Sequence, residues 1–171
     1  MSQPARYRDM RYGITRVEVQ TRKNGVQYAQ ADEALQTYPH RMTDKLLHWS
    51  RVAPDRTLMA RRKRLPDGTT GDWEHLTYAQ AVTAARRIGQ ALLHKGLSVD
   101  RPVVILSENS LEHALLALGA MVAGVPFVPT SPPYSLVSVD YDKLKHVLKT
   151  VTPGLVFASD ARYAKAIAAT V

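Results

Sequence analysis

The stretch Arg101-Pro102-Val103-Val104-Ile105-Leu106-Ser107-Glu108-Asn109-Ser110-Leu111 sets the reading of the whole chain. Val103-Val104-Ile105-Leu106 is a short, uninterrupted apolar run, the pattern of a parallel strand buried on both faces. Asn109 or Ser110 can then cap a helix that runs to about Val122, apolar nearly all round and therefore central, with Gly124 as its stop. Residues 125–128 are again apolar and read as a strand, and 129–134 read as a rigid loop, since each proline holds its predecessor extended. Asp140 is placed to cap a helix carrying Leu144, Val147, Leu148 and Val151 at i, i+3, i+4 and i+7. Leu155-Val156-Phe157-Ala158 is a third apolar strand, and Asp160 caps a final short helix. Residues 103–158 thus read as β-α-β-α-β, a right-handed parallel unit.

Working back from this unit, Tyr78, Ala81, Val82, Ala85, Ile88 and Leu92 recur at helical spacing, and Lys95-Gly96 ends that helix. Residues 57–62 and 74–77 read as two strands of a hairpin with a long polar tip at 66–71. Thr43 is positioned to cap a helix carrying Leu46, Trp49, Ser50 and Ala53, which Pro54 stops. Nearest the start, residues 15–21 alternate, with Val17, Val19 and Thr21 on one side. Asn24-Gly25 then supplies a two-residue turn before Val26 and Tyr28. The fold class expected is α/β: a mostly parallel sheet flanked by helices and preceded by β-hairpins, with residues 1–42 as a hairpin and loop region and 43–171 as the main domain.

Composition narrows the chemistry. The 171 residues are 45% hydrophobic and 22% charged, with 9 Gly and 10 Pro, which excludes collagen-like and low-complexity chains. With no cysteine, a disulfide framework, a zinc-thiolate site and a thiol nucleophile are all excluded. The start has no apolar signal core, and the longest apolar stretch, 114–128, is too short to span a bilayer, so a cytoplasmic protein with no membrane contact is expected. The net charge of +8 sits entirely in residues 1–64, which hold 14 Lys/Arg against 6 Asp/Glu, whereas 65–171 hold 9 against 9. Such an arm suits nucleic acid, an acidic membrane surface or a phosphorylated ligand, although a solvated basic surface is the commoner outcome.

Motifs for most catalytic classes are missing. Gly68-Thr69-Thr70-Gly71 resembles a phosphate-cradling loop, but both its flanks read as hairpin strands and no Gly-Lys-Ser/Thr follows. No Gly-x-Gly-x-x-Gly follows the strand at 103–106, and there is no Gly-x-Ser-x-Gly elbow. The six histidines lack metal-ligand spacing, and His113 beside Glu112 reads as a surface pair. Arg61-Arg62-Lys63-Arg64 reads as a strand edge protected from pairing by charge. In open α/β sheets ligands collect at the carboxyl ends of strands, so 107–110, 130–134 and 159–162 are the edges where a site belongs.

Leu76-Thr77-Tyr78-Ala79-Gln80-Ala81, Ile88-Gly89-Gln90-Ala91-Leu92-Leu93, Lys95-Gly96-Leu97, Arg101 to Leu106, Asn109-Ser110-Leu111-Glu112 and 121–129, in this order, resemble the adenylate-forming superfamily of acyl-CoA synthetases and luciferases. The resemblance covers about residues 43–170. Ser131-Pro132-Pro133-Tyr134-Ser135-Leu136, Asp140, Lys143-Leu144, residues 152–158 and the early Arg16-Val17-Glu18-Val19 are similar to the feruloyl-CoA synthetase branch. That resemblance implies a parent enzyme that activates a small aromatic carboxylate, a hydroxycinnamate, with Mg-ATP and passes the acyl group to CoA. It also implies that this chain is the amino-terminal part of the large domain. The family's phosphate loop, its acidic ribose-binding motif and its late lysine do not occur between Met1 and Val171. The chain alone is therefore expected to hold no cofactor, metal or catalytic residue, and its partner would be the missing remainder or, through exposed apolar surface, a second copy. Arg162 and Lys165 occupy the neighbourhood in which related acetyl-CoA synthetases contact CoA phosphate. The alternative is a non-catalytic interaction or nucleic-acid-binding module built on the basic first 64 residues.

Overall fold

A computed structural model describes residues 16–171, so Thr15, the start expected for the first strand, lies outside the described residues. The chain divides into two units, Met1–Tyr38 and Pro39–Val171. In the first, β1 (Val17–Thr21) and β2 (Gln27–Ala31) form an antiparallel hairpin. Its turn is one residue longer than the Asn-Gly reading: Gly25 N–H donates to the Arg22 carbonyl and Arg22 N–H to the Val26 carbonyl. Gly25 takes φ +80° as the left-handed residue of a three-residue loop.

The second unit begins with α1 (Met42–Val52), capped at Arg41 and not at Thr43. Asp44 accepts the Arg41 N–H at 3.0 Å, which fixes the cap two residues earlier, and Thr43 is buried inside the helix. The next hairpin, β3 (Thr57–Arg64) and β4 (Thr70–Thr77), is longer than its apolar pattern, and its tip correspondingly shorter. Pro66-Asp67-Gly68 close it, with Asp67 accepting from both the backbone and the hydroxyl of Thr69, and this is the fate of the Gly68–Gly71 sequence. Helix α2 (Tyr78–His94), expected from its spacing, opens on a reciprocal cap between Thr77 and Gln80.

Three parallel strands follow, β5 (Val103–Leu106), β6 (Phe127–Thr130) and β7 (Leu155–Ala158), in the spatial order β6-β5-β7. Between them lie α3 (Leu111–Ala123), a short α4 (Pro133–Leu136) and α5 (Asp142–Val151). A 3₁₀ turn (Ala161–Tyr163) and α6 (Ala164–Thr170) complete the unit. Strand β6 begins two residues after the apolar run does. Val125 N–H is committed to the Ala120 carbonyl in the cap that Gly124 (φ +71°) makes for α3, so pairing starts only after Pro126. Pro133 and Tyr134, expected to end a loop, instead open α4, because proline is tolerated in the first helical turn. Asp140 supports α5 from one position outside the cap: Tyr141 occupies it at φ 58°, while the Asp140 carboxylate accepts Asp142 N–H at 3.1 Å.

The sheet divides its core by the alternation of the strands. Val103 and Ile105 pack with Leu92 of α2 and Leu116 and Ala120 of α3. Val104 and Leu106 pack with Leu144 of α5 and with Tyr163 and Ala166 on the other face. The step from β5 to β6 through α3 and the return past β5 to β7 through α5 run in opposite directions on opposite faces. The two crossovers therefore share one hand, as a parallel unit requires. Outside α2 and α3, Leu46 of α1 and Leu58 and Leu76 of the second hairpin close over Ala81 and Val82.

Candidate functional site

Between β5 and β7 the chain leaves the sheet toward opposite faces, α3 on one side and α6 on the other. This is the switch point at which an open α/β sheet leaves a crevice beyond its strand ends. A crevice of about 850 Å³ is found there. Glu108, Asn109 and Ser110 line it from the end of β5, and Ser159, Asp160 and Arg162 from the end of β7. Its third wall is the Arg61-Arg62-Lys63-Arg64 strand, brought from far along the chain.

Two arginines organise the crevice. Arg61 donates through Nε to Glu74 at 2.8 Å and through Nη1 to Glu112 at 2.7 Å, fastening the hairpin to the first turn of α3. Its own pKa is raised, chiefly by the Glu112 hydrogen bond and next by Glu74. Arg162 donates to Asp160 through Nε at 3.1 Å and Nη2 at 2.9 Å, and Nη2 also reaches Glu108, joining the ends of the two strands. These bonds raise the Arg162 pKa well above its usual value. Arg162 N–H and side chain together hold the Asp160 carboxyl below its ordinary range. Arg62 lies over the Trp73 ring at 5.1 Å and donates to the Gly71 carbonyl. Among the described residues, Lys63, Arg64 and Lys165 make no ion pair with a carboxylate.

Beneath this polar rim, Tyr163 is fully buried and its hydroxyl has no hydrogen-bond partner among the described residues. Desolvation, followed by the nearby Glu108 and Asp160 charges, pushes its pKa up. Of the three expected strand edges, 107–110 and 159–162 meet in the crevice. The 130–132 segment instead lines an adjoining hollow of about 510 Å³ with Ser107 and His113, and Glu108 and Asn109 stand between the two. Arg162 is in the crevice wall, whereas Lys165 is exposed on α6 and is not part of that wall. The surface pairing of Glu112 with His113 is corrected: Glu112 binds Arg61, and His113 Nδ1 is buried without a hydrogen-bond partner among the described residues. The basic run is likewise more than a charged edge. No local signal could have shown this, since Arg61 and Glu112 are 51 residues apart.

The Arg61 hydrogen bond holds the Glu112 carboxyl below its ordinary value, against an opposing contribution from burial. A carboxylate depressed in this way contributes stability that is present above its unfolded value and is lost as pH falls through the folded one. The link between hairpin and α3 should therefore weaken only in acid, and by no more than about 1 kcal/mol for so exposed a pair. Carboxyl ¹³C titration of Glu112 is expected to show a midpoint below that of an ordinary glutamate, returning upward in Arg61→Gln. An unchanged midpoint in that variant would remove Arg61 as the cause.

Helices on both faces of a parallel sheet and a charged crevice at its switch point place the lobe in the doubly wound α/β class. A family model described as AMP-binding enzyme matches residues 46–171, and the chain belongs to that family. It is 32% identical over 82 residues to surfactin synthase subunit 1 of Bacillus subtilis (strain 168), covering 48% of this chain and 2% of that protein. It is 30% identical over 122 residues to bacitracin synthase 2 of Bacillus licheniformis, covering 69% of this chain and 4% of that one. The fatty acyl-adenylate ligase from L. pneumophila, solved with acyl adenylate and pyrophosphate, superposes with a TM-score of 0.59 at 23% identity, covering 73% of this chain and 20% of that one. The chain thus spans a small fraction of the length of each. No described helix is long and apolar enough to cross a membrane.

Proposed function

We propose that the chain is the amino-terminal part of the large domain of a ligase in which a carboxylate attacks the α-phosphate of ATP, giving an acyl-adenylate and pyrophosphate, after which the CoA thiol displaces AMP to form the thioester. The observation that carries this reading is the family match across residues 46–171, with the crevice lying where the fold gathers ligands. Ordered similarity at 131–136 and 152–158 favours a hydroxycinnamate as the acid, as in feruloyl-CoA synthetases. The groups that would neutralise triphosphate charge are not among these residues, so the chain by itself is inactive. Four carboxylates interleave with the basic wall of the crevice, a pattern unsuited to a nucleic-acid backbone.

Arg162 and Lys165 are the proposed contacts for CoA phosphate. The fit is partial: the Arg162 Nε and Nη2 are committed to Asp160 and Glu108, and Nη1 makes none of these bonds. Lys165 is exposed without a carboxylate partner. CoA is therefore expected to bind more tightly than dephospho-CoA, with the difference reduced several-fold in Arg162→Ala and in Lys165→Ala by calorimetry. Equal binding of the two ligands overturns the assignment.

The substrate reading is tested on the whole reading frame containing residues 1–171, by acid-dependent exchange of pyrophosphate into ATP. Ferulate-dependent exchange supports it. Exchange with fatty or amino acids but not ferulate keeps the chemistry and overturns the substrate, and no exchange with any acid overturns both.

A further inference from the structure

We propose that the β1–β2 hairpin is a self-association element, in which β2 pairs antiparallel with β2 of a second copy of this chain. The inference is independent of the ligase reading, because the hairpin precedes the residues that the family model matches.

Hydrogen bonding within the hairpin decides which groups are available. Arg22 N–H donates to the Val26 carbonyl and Asp32 N–H to the Arg16 carbonyl, so the even-numbered residues from 26 to 32 bond toward β1. Gln27, Ala29 and Ala31 therefore direct their N–H and C=O outward. From Val26 to Ala31 this edge carries no charge and no proline, two of the devices that block strand addition. β1, by contrast, carries Glu18 and follows directly on Arg16.

A twofold axis at Ala29 sets Ala29 against its own copy and Gln27 against Ala31 of the other. All three pairs then consist of outward-facing residues, and each is a fully hydrogen-bonded antiparallel pair. The same register is complementary in charge. The basic turn, Arg22-Lys23, lies at one end of β2 and Asp32-Glu33 at the other, so antiparallel pairing brings the basic turn of each copy alongside the acidic pair of its partner. It also supplies what a lone hairpin lacks. Val17 and Val19 are 58% and 54% exposed and share a face with Ala29 and Ala31. Two strands with an open apolar face are marginal in water, whereas four strands carrying that face twice over form a sheet of stable size.

Sedimentation velocity of the 171-residue chain from micromolar to millimolar concentration tests this. A monomer–dimer equilibrium is expected. Ala29→Pro removes an outward N–H without touching the β1–β2 ladder, and Ala29→Lys sets two like charges together on the axis; each should raise the dimer dissociation constant by about tenfold or more. Reversing the turn (Arg22→Glu with Lys23→Glu) should weaken the dimer. Adding Asp32→Lys with Glu33→Lys to the same chain should restore it, which a merely structural role of these residues would not do. A chain monomeric throughout the range overturns the proposal. So does a dimer indifferent to Ala29→Pro, or one that the second pair of reversals fails to restore. Circular dichroism confirms that the Pro39–Val171 unit stays folded in every variant.

Discussion

Gly119→Ala is expected to lower the unfolding free energy by about 2 kcal/mol, although alanine is the better helix former. In an open helix the substitution would gain about 1 kcal/mol. Here α2 and α3 cross at Gly89 and Gly119. A methyl on Gly119 would stand 2.5 Å from the Ile88 Cγ2 and 2.7 Å from its Cβ. The first atom could swing aside, but the second is fixed to the backbone of α2, so the helices themselves must part. Overpacking of this kind costs about 1–3 kcal/mol before the propensity gain is subtracted, and approaches this short belong at or above the upper end. Urea unfolding measures it. Ile88→Ala in the same chain should recover part of the loss, leaving the double variant more stable than the sum of the two single losses. A Gly119→Ala protein as stable as the parent would mean that the two helices are not in contact at this point.

Leu144→Ala is expected to cost about 3 kcal/mol, within the range for fully buried leucines. Leu144 has no exposed surface and joins α5 to Val104 and Leu106, the two β5 side chains that point away from α2 and α3. It is the only residue of α5 that is buried, so the helix has no second anchor of the same quality. The melting temperature should fall by roughly 2–4 °C for each kcal/mol lost in a domain of this size. Val156→Ala, on the half-buried edge strand β7, should cost distinctly less. Equal losses at the two positions would mean that this face of the sheet is not sealed by α5.

Much of the fold was legible because its signals are local. The run 103–106 is apolar at every position, and all four residues are buried. Ser110 and Gly124 bracket α3, and Lys95 ends α2, because a cap is a contact within a few residues. Errors arose where a local signal met a more distant demand. Val125 has the chemistry of a strand residue, but its N–H closes the end of a helix, and the strand starts later. Thr43 has the chemistry of a cap, but Leu46 and Thr43 both face the core, so the helix begins before it.

The site was only half legible. That ligands belong at the ends of β5 and β7 follows from parallel topology, and Arg162 could be singled out by resemblance. That Arg61 reaches Glu112, that Arg162 locks Glu108 to Asp160, and that the basic run forms the third wall could not be read from the sequence.

By itself, then, the sequence determined the order and kind of the elements other than α4, since hydrophobic period, caps and turn residues act over a few positions. It also placed the chain by resemblance near the family to which it belongs. Tertiary structure alone decided which charges meet. A salt bridge across some fifty residues has no local signature, and its partners are chosen by the packing of α1 and the second hairpin over α2 and α3, which carries Arg61 to the mouth of the sheet.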